Sequence, residues 1–254
     1  MKKILILYFS GVGATKKIAE LMHSSLSQKC KVDIFSIENK DIPSADNYDA
    51  LIIGTPVYHC TPAKLIMDYL GAMSVLNKKT PAFIYNTRTL YALNTNRILA
   101  QQLRGKNICV VMDKSYRSPA SDGTLLVPYI KRFFKFAKDI ESRIALDCMI
   151  FLKMLHYGKS QCYIPKFRMG SILNAPNKAI GHLFTVKIHL HNNKCVKCNR
   201  CIEECPHRAF SKDKSNYPIL DSKKCENCYR CIHHCPKSAL SLSKHRTPKK
   251  LLRY

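Results

Sequence analysis

Apolar residues in the first half of the chain follow two alternating periods. Short runs over residues 3–9, 32–35, 50–53, 82–85 and 108–112, several rich in Ile and Val, have the length of strands. Between them, residues 15–26, 62–76 and 93–103 place apolar side chains three and four apart, which predicts helices, with Pro62 suited to a first helical turn. Strands that alternate with helices imply a parallel sheet covered on both faces. Residues 128–156, opening on Pro128, read as one long basic amphipathic helix that packs on this sheet, with membrane-surface or partner docking as the alternative.

After residue 190 the pattern changes from hydrophobic periodicity to cysteine spacing. Cys30, Cys60, Cys109, Cys148 and Cys162 are scattered singly, and eight more cysteines fall between Cys195 and Cys235. The shift predicts a first domain over residues 1–170, a linker over 171–185 around Asn174-Ala175-Pro176-Asn177, a cysteine-rich domain over 186–246 and a basic tail over 247–254. A chain of 254 residues has room for one sizeable domain and a small second module.

The cysteine-rich segment repeats itself at a spacing of 30 residues. Cys195-Val-Lys-Cys198-Asn-Arg-Cys201-Ile-Glu-Glu-Cys205-Pro206 is answered by Cys225-Glu-Asn-Cys228-Tyr-Arg-Cys231-Ile-His-His-Cys235-Pro236. Two-residue gaps bring three thiolates to three corners of one cubane, and the fourth cysteine, followed by proline, goes to the other cluster; this spacing and crossed ligation are the known rule for two-cluster ferredoxins. The expectation is two [4Fe-4S] clusters, one on Cys195, Cys198, Cys201 and Cys235, the other on Cys225, Cys228, Cys231 and Cys205. Zinc sites use separated cysteine pairs and disulfides suit secreted chains, so both are set aside. Ile202 and Ile232, Ala209 and Ala239, and Phe210 and Leu240 hold equivalent places and are expected to exclude water. Lys197, Arg200, Lys223, Lys224 and Arg230 surround the ligands with positive charge, which is expected to raise the cluster potentials.

Charge narrows the partners. Lys and Arg number 42 against 17 Asp and Glu, a formal +25. Two clusters, each about −2 relative to four neutral thiols, remove about four of those charges. The cations are spread along the chain with no nucleic-acid signature, so acidic redox-partner proteins are expected rather than nucleic acid. No apolar run approaches the ~20 residues of a membrane span, and Lys2-Lys3 with its short apolar run reads as a strand entry rather than a signal peptide, so a cytoplasmic location is expected, with peripheral membrane contact left open.

The first strand runs into Ser10-Gly11-Val12-Gly13-Ala14-Thr15 and then a helix. Glycines permit close backbone approach, and loop amides with a helix N-terminus suit a phosphate. With Tyr8-Phe9 before this loop and a second motif, Gly54-Thr55-Pro56-Val57-Tyr58, residues 1–130 resemble the flavodoxin family. The resemblance implies FMN, its phosphate on Ser10, Gly11, Gly13 and Thr15 and its ring along Thr55, Pro56, Val57 and Tyr58. Val12 and Ala14 stand where the family offers another hydroxyl and an amide. The third loop, Asn86-Thr87-Arg88, lacks the expected glycine, and Arg88 is a candidate to face the flavin.

Joined, the two halves resemble the fused flavodoxin and two-cluster ferredoxin proteins of anaerobic bacteria and archaea. The implied architecture is an α/β flavodoxin-like doubly wound parallel sheet followed by a small α+β two-[4Fe-4S] ferredoxin-like domain. The implied function is an intracellular electron carrier that relays electrons between redox partners. Two alternatives stand beside it: a flavin-dependent reductase of a small substrate, with Tyr58, His59, Cys60 and Arg88 near the ring, and a redox sensor or scaffold without FMN. His59, His207, His233 and His234 form no evident triad or ligand set, although His233-His234 beside Cys235 are placed to influence cluster protonation.

Overall fold

In the computed structural model, which describes residues 1–126, 129, 135–158, 161–170, 187–245, 247–248 and 251–252, β1 (Lys3–Tyr8) leads to α1 (Ala14–Leu26) and β2 (Lys31–Ser36). Then follow β3 (Ala50–Tyr58), β4 (Thr61–Pro62), α2 (Lys64–Ala72), β5 (Thr80–Arg88), α3 (Thr95–Arg104), β6 (Ile108–Arg117) and α4 (Ile140–Tyr157). The chain divides into two units. One comprises Met1–Ser10, Ala14–Ser118 and Phe136–Ala175; the other comprises Gly11–Gly13, Pro119–Lys135 and Pro176–Tyr254.

The first unit is the doubly wound sheet, with strand order β2-β1-β3-β5-β6 and β4 paired to β3. The paired main strands are parallel. This is the flavodoxin-like order once the short β4 is set apart. Side chains that alternate along each strand feed two cores. Ile4, Ile6 and Phe83 point with Ile18 and Met22 of α1 and Ile144 and Phe151 of α4, whereas Leu5, Leu7 and Ile53 point with Ile66 of α2 and Leu99 and Leu103 of α3.

Three local expectations are corrected. Strands β3, β5 and β6 run past their apolar stretches, because parallel pairing continues through Gly54–Tyr85, Thr55–Asn86 and Pro56–Thr87, and through Arg88–Arg117. Thr55, Pro56, Asn86, Thr87 and Arg88, expected in loops, therefore lie in strands. Pro62 closes a hairpin instead of opening a helix: Val57 pairs with Pro62 and Tyr58 with Thr61 across His59 and Cys60, whose φ angles are 47° and 61°. The helix expected over 128–156 is described only from Ile140; residues 135–139 are not helical, and residues 128 and 130–134 lie outside the described residues, as do all of 171–186 and with them the expected linker. Asp139 stands at the start of α4, where a carboxylate complements the positive helix end.

A disulfide joins Cys109 of β6 to Cys162, with Cα atoms 5.1 Å apart, so two of the five scattered cysteines are paired. The segment it fastens, 161–170, lies beside the edge strand: Tyr163 N donates to Val110 O at 3.0 Å and Tyr163 Oη to Asp113 Oδ1 at 2.6 Å. Arg97 donates to Pro165 O at 2.9 Å, and Arg168 N to Asn94 Oδ1 at 2.8 Å. An exposed edge invites foreign strands, and this segment covers it.

The second unit is built on the repeat. Helical turns α5 (Arg200–Glu203) and α6 (Arg230–His233) stand 30 residues apart, and two antiparallel ribbons flank them: β7 (His189–Leu190) with β10 (Leu240–Ser241), and β8 (Phe210–Lys212) with β9 (Pro218–Leu220). Left-handed backbone recurs in step: Lys197, Asn199 and Arg208 in one half, Asn227, Tyr229 and Ser238 in the other. Phe210, Tyr229, Ile232 and Leu240 form its buried core, with Ile202 packed against them.

Candidate functional site

Each repeat bends the chain around its cysteines by the same device. A left-handed residue precedes and another follows the second cysteine, at Lys197 and Asn199 around Cys198 and at Asn227 and Tyr229 around Cys228. The chain then enters a single helical turn that carries the third cysteine, Cys201 or Cys231. After the fourth, a tight turn directs a backbone amide at sulfur: Ala209 N donates to Cys205 Sγ at 3.3 Å and Ala239 N to Cys235 Sγ at 3.2 Å. Amides aimed at sulfur stabilise thiolate.

The cysteines gather across the repeats. Burial pushes the Cys201 thiol up to about 11, and the charges that add to the rise are those of Cys235, Cys195 and Cys198. These same four line one cavity with Leu190, Pro218 and Leu240. Burial lifts Cys231 well above the ordinary thiol value, and the charges of Cys228, Cys225, Cys205 and then Cys201 add to the rise. Burial lifts Cys228 to about 12, opposed by the Arg230 amide and charge, and Cys225 also rises, again under the influence of Cys205. The first four share a cavity, and Cys205 is among the charges that act on Cys225, Cys228 and Cys231. Among the described residues no three His, Cys, Asp or Glu converge on a point that one ion would fill. A cubane requires less convergence, since each thiolate binds its own iron corner. The donor set fits [4Fe-4S] clusters, and iron binding would offset the work of ionising these buried thiols.

Polar groups tie the repeats together. Glu204 accepts from Arg200 Nε at 3.2 Å and lies 2.5 Å from His234 Nδ1, so a carboxylate balances the charge expected of Arg200. Arg230 Nε donates to Gly11 O at 2.8 Å and its Nη1 to Glu204 O at 3.1 Å. His207 lies 3.2 Å from Glu226. His233 is buried, donates from Nε2 to Ser121 O at 2.8 Å and accepts from Leu252 N at Nδ1 at 3.0 Å, which requires the neutral ring; burial holds its pKa down to about 4. His233 is thus a structural group.

At the carboxyl ends of the parallel strands, the expected flavin side chains are largely committed to each other. Thr15 Oγ1 and Thr87 Oγ1 share a buried hydrogen bond of 2.8 Å, and Tyr85 Oη donates to Thr15 O at 3.1 Å. Thr55 Oγ1 donates to Pro56 O and accepts from Ala63 N. Asn86 bonds to Asn96 and to Ser115, and Arg88 donates to Ser115 Oγ at 2.7 Å and to Leu90 O at 2.6 Å. Burial, then Arg168, Arg117 and Arg143, lower the Arg88 pKa. Val12 and Ala14 are buried, as is Ser10, while Gly13 has φ +98°, a left-handed turn into the α1 N-terminus. Backbone amides and the helix end suit a phosphate here; the side chains of Thr15, Thr55, Thr87 and Arg88 already have partners. This network, the disulfide and the Asp147 pairing below escaped the sequence reading, since each joins residues far apart along the chain.

Residues 5–113 match the family model of the flavodoxin domain, and residues 194–239 match that of the 4Fe-4S dicluster domain. No curated protein sequence matches the chain. Among solved structures, it is similar to the Fusobacterium nucleatum flavodoxin bound to flavin mononucleotide, at 16% identity over 60% of this chain and 98% of that one, with a TM-score of 0.43. A flavodoxin, WrbA-like protein from Agrobacterium tumefaciens gives 16% identity over 62% and 99%, with a TM-score of 0.48. Rubredoxin oxygen:oxidoreductase from the anaerobe Desulfovibrio gigas gives 14% over 62% of this chain, a TM-score of 0.44, and only 37% of its own length is spanned.

Proposed function

We propose, for a chain that carries a flavodoxin domain ahead of a 4Fe-4S dicluster domain, that its electron-transfer role rests on two [4Fe-4S] clusters with crossed ligation. The observation that carries this reading is the cavity lined by Cys195, Cys198, Cys201 and Cys235, and the influence of Cys205 on Cys225, Cys228 and Cys231 supports the second set. Each cluster, when bound, supplies a one-electron site. The chain's own contribution is to bury the ligands, direct the Ala209 and Ala239 amides at sulfur and set a guanidinium beside Cys228. Replacing Arg230 with Gln is expected to lower the midpoint of the cluster on Cys228, with a smaller effect from Arg200→Gln because Glu204 already pairs with Arg200; unchanged midpoints would end the charge argument.

We further propose FMN at the loop from Ser10 to Thr15, held chiefly by backbone amides and the start of α1. FMN supplies a site for one or two electrons when bound. The partners are acidic redox proteins drawn by the residual positive charge, and no helix among the described residues is long and apolar enough to cross a membrane. The commitment of Thr15, Thr55, Thr87 and Arg88 favours a second reading, an iron–sulfur carrier whose flavodoxin half binds a protein.

Anaerobic reconstitution followed by iron, sulfide and released-FMN assays separates these readings. About eight irons with one FMN per chain is the expected result. About eight irons without FMN would select the second reading, and few irons would overturn both.

A further inference from the structure

The cysteine pair Cys109–Cys162 takes no part in the candidate cluster and flavin sites. Cys109 is the second residue of β6, at the amino ends of the parallel strands, whereas the Ser10–Thr15 loop follows the carboxyl end of β1. Its two residues differ in exposure. Cys109 is 8% exposed, and Cys162 lies on the exposed segment beyond α4. Both line a cleft of about 300 Å³ with Lys79, Arg104, Asn107 and Tyr163. A second opening, lined by Lys79, Pro81 and Gln161, reaches the same pair. Among the described residues lining the two openings there are cations and no carboxylate.

We propose that this cleft is a thiol–disulfide exchange site for small thiols that bear carboxylates. An incoming thiolate attacks the sulfur of Cys162, the exposed residue of the pair, in line with the bond. A new bond joins the small thiol to Cys162, the Cys109–Cys162 bond breaks, and its electron pair leaves on Cys109 as thiolate, which takes a proton from water. A second small thiolate attacks the small-molecule sulfur of the mixed disulfide. Cys162 is released as thiolate, and two small thiols have become one small disulfide while the protein disulfide has gained two electrons. The same small disulfide, in excess, reverses both steps. Exchange proceeds by such attack, at a rate set by access and by thiolate content. Lys79 and Arg104 favour an anionic reagent and stabilise the thiolates that form. The backbone bonds of Tyr163, Pro165 and Arg168 keep segment 161–170 on the sheet when the pair opens, so exchange does not require unfolding.

The test uses the full-length, cluster-loaded protein under anaerobic conditions. Opening is followed by differential alkylation and mass spectrometry of the peptides that carry Cys109 and Cys162. 3-Mercaptopropionate, 2-mercaptoethanol and cysteamine serve as anionic, neutral and cationic probes, each rate divided by its rate on a neutral small disulfide to remove intrinsic reactivity. At low salt the anion is expected to exceed the cation by about tenfold. That preference falls to about threefold or less in Lys79→Gln/Arg104→Gln and stays in Lys31→Gln, a charge removed from the other edge strand. Given the corresponding small disulfide in place of the thiol, Cys109→Ser accumulates the mixed disulfide on Cys162 with release of one small thiolate, because no second protein thiolate is present to displace it. Full alkylation of both cysteines in air-purified protein, equal rates for the three probes, or a preference that survives the double charge variant would each overturn the proposal. The charge variants change exposed side chains, so they report even if Cys109→Ser fails to fold.

Discussion

Gly54 is required by a single neighbour. A Cβ at that position meets Tyr85 Cζ at 2.2 Å and Oη at 2.3 Å, and the ring has nowhere to go, being fully buried with its hydroxyl bonded to Thr15 O. Gly54→Ala is expected to destabilise the first unit by about 1–3 kcal/mol, read as a lower thermal midpoint. Tyr48 gives a pH-dependent prediction. Its hydroxyl donates to Asp33 Oδ2 at 2.8 Å, and burial first, then that bond and the Asp33 charge, raise its pKa to about 12. A raised pKa means that the native state keeps the proton longer than the unfolded chain, so this contribution is full below the ordinary tyrosine value near 10 and is lost between about 10 and 12. The urea midpoint of wild type should exceed that of Tyr48→Phe below pH ~10, with the gap closing as pH rises toward ~12. A constant gap would remove ionisation from the account. Of Gly54 and Tyr48 only Gly54 stood out in the sequence, as part of a motif; what makes it necessary is a ring 31 positions away.

At the scale of elements, apolar spacing located the main strands and helices because each buries a face, and burial leaves a period in the sequence. Strand ends were less legible. Thr55-Pro56 and Asn86-Thr87-Arg88 have no strand-like pattern, and they are extended because β3, β5 and β6 continue to pair with one another. Helix α4 shows a similar dependence on distant residues: Asp147 is buried yet accepts from Tyr116 Oη at 2.7 Å and pairs with Lys114 Nζ at 2.8 Å. Segment 161–170 has no periodicity at all, and a covalent bond with a sequence separation of 53 helps to hold it. Cys162→Ser is expected to lower stability by about 4 kcal/mol through the freed loop, a difference that disappears when wild type is measured in excess dithiothreitol. A difference that persists under reduction would assign the loss to packing.

For the molecule as a whole, cysteine spacing was the most legible feature, since a ligand pattern is local and needs no tertiary contact to be read. The pairing of the halves is the part that a variant series can test. Cys195→Ser and Cys235→Ser are expected to abolish the same cluster signal in electron paramagnetic resonance, and Cys225→Ser and Cys205→Ser the other, with about half the iron retained in each case. Loss of one signal by Cys195→Ser and of the other by Cys235→Ser would mean that each half keeps its own fourth ligand. The formal +25 belongs to this scale too. Association with an acidic redox partner should weaken steeply as salt is raised from low to physiological levels, because exposed charges more than ~8 Å apart are then screened.

The proposed exchange of last cysteines between Cys205 and Cys235 has a consequence for how such a unit is assembled. Under crossed ligation one half alone would own three ligands for one cluster and a fourth for the other, so a lone copy of the half-sequence would complete a cubane only by trading its last cysteine with a twin. The repeated chain is then a symmetric pair whose subunits have been joined end to end, and the link makes reciprocal ligation independent of protein concentration.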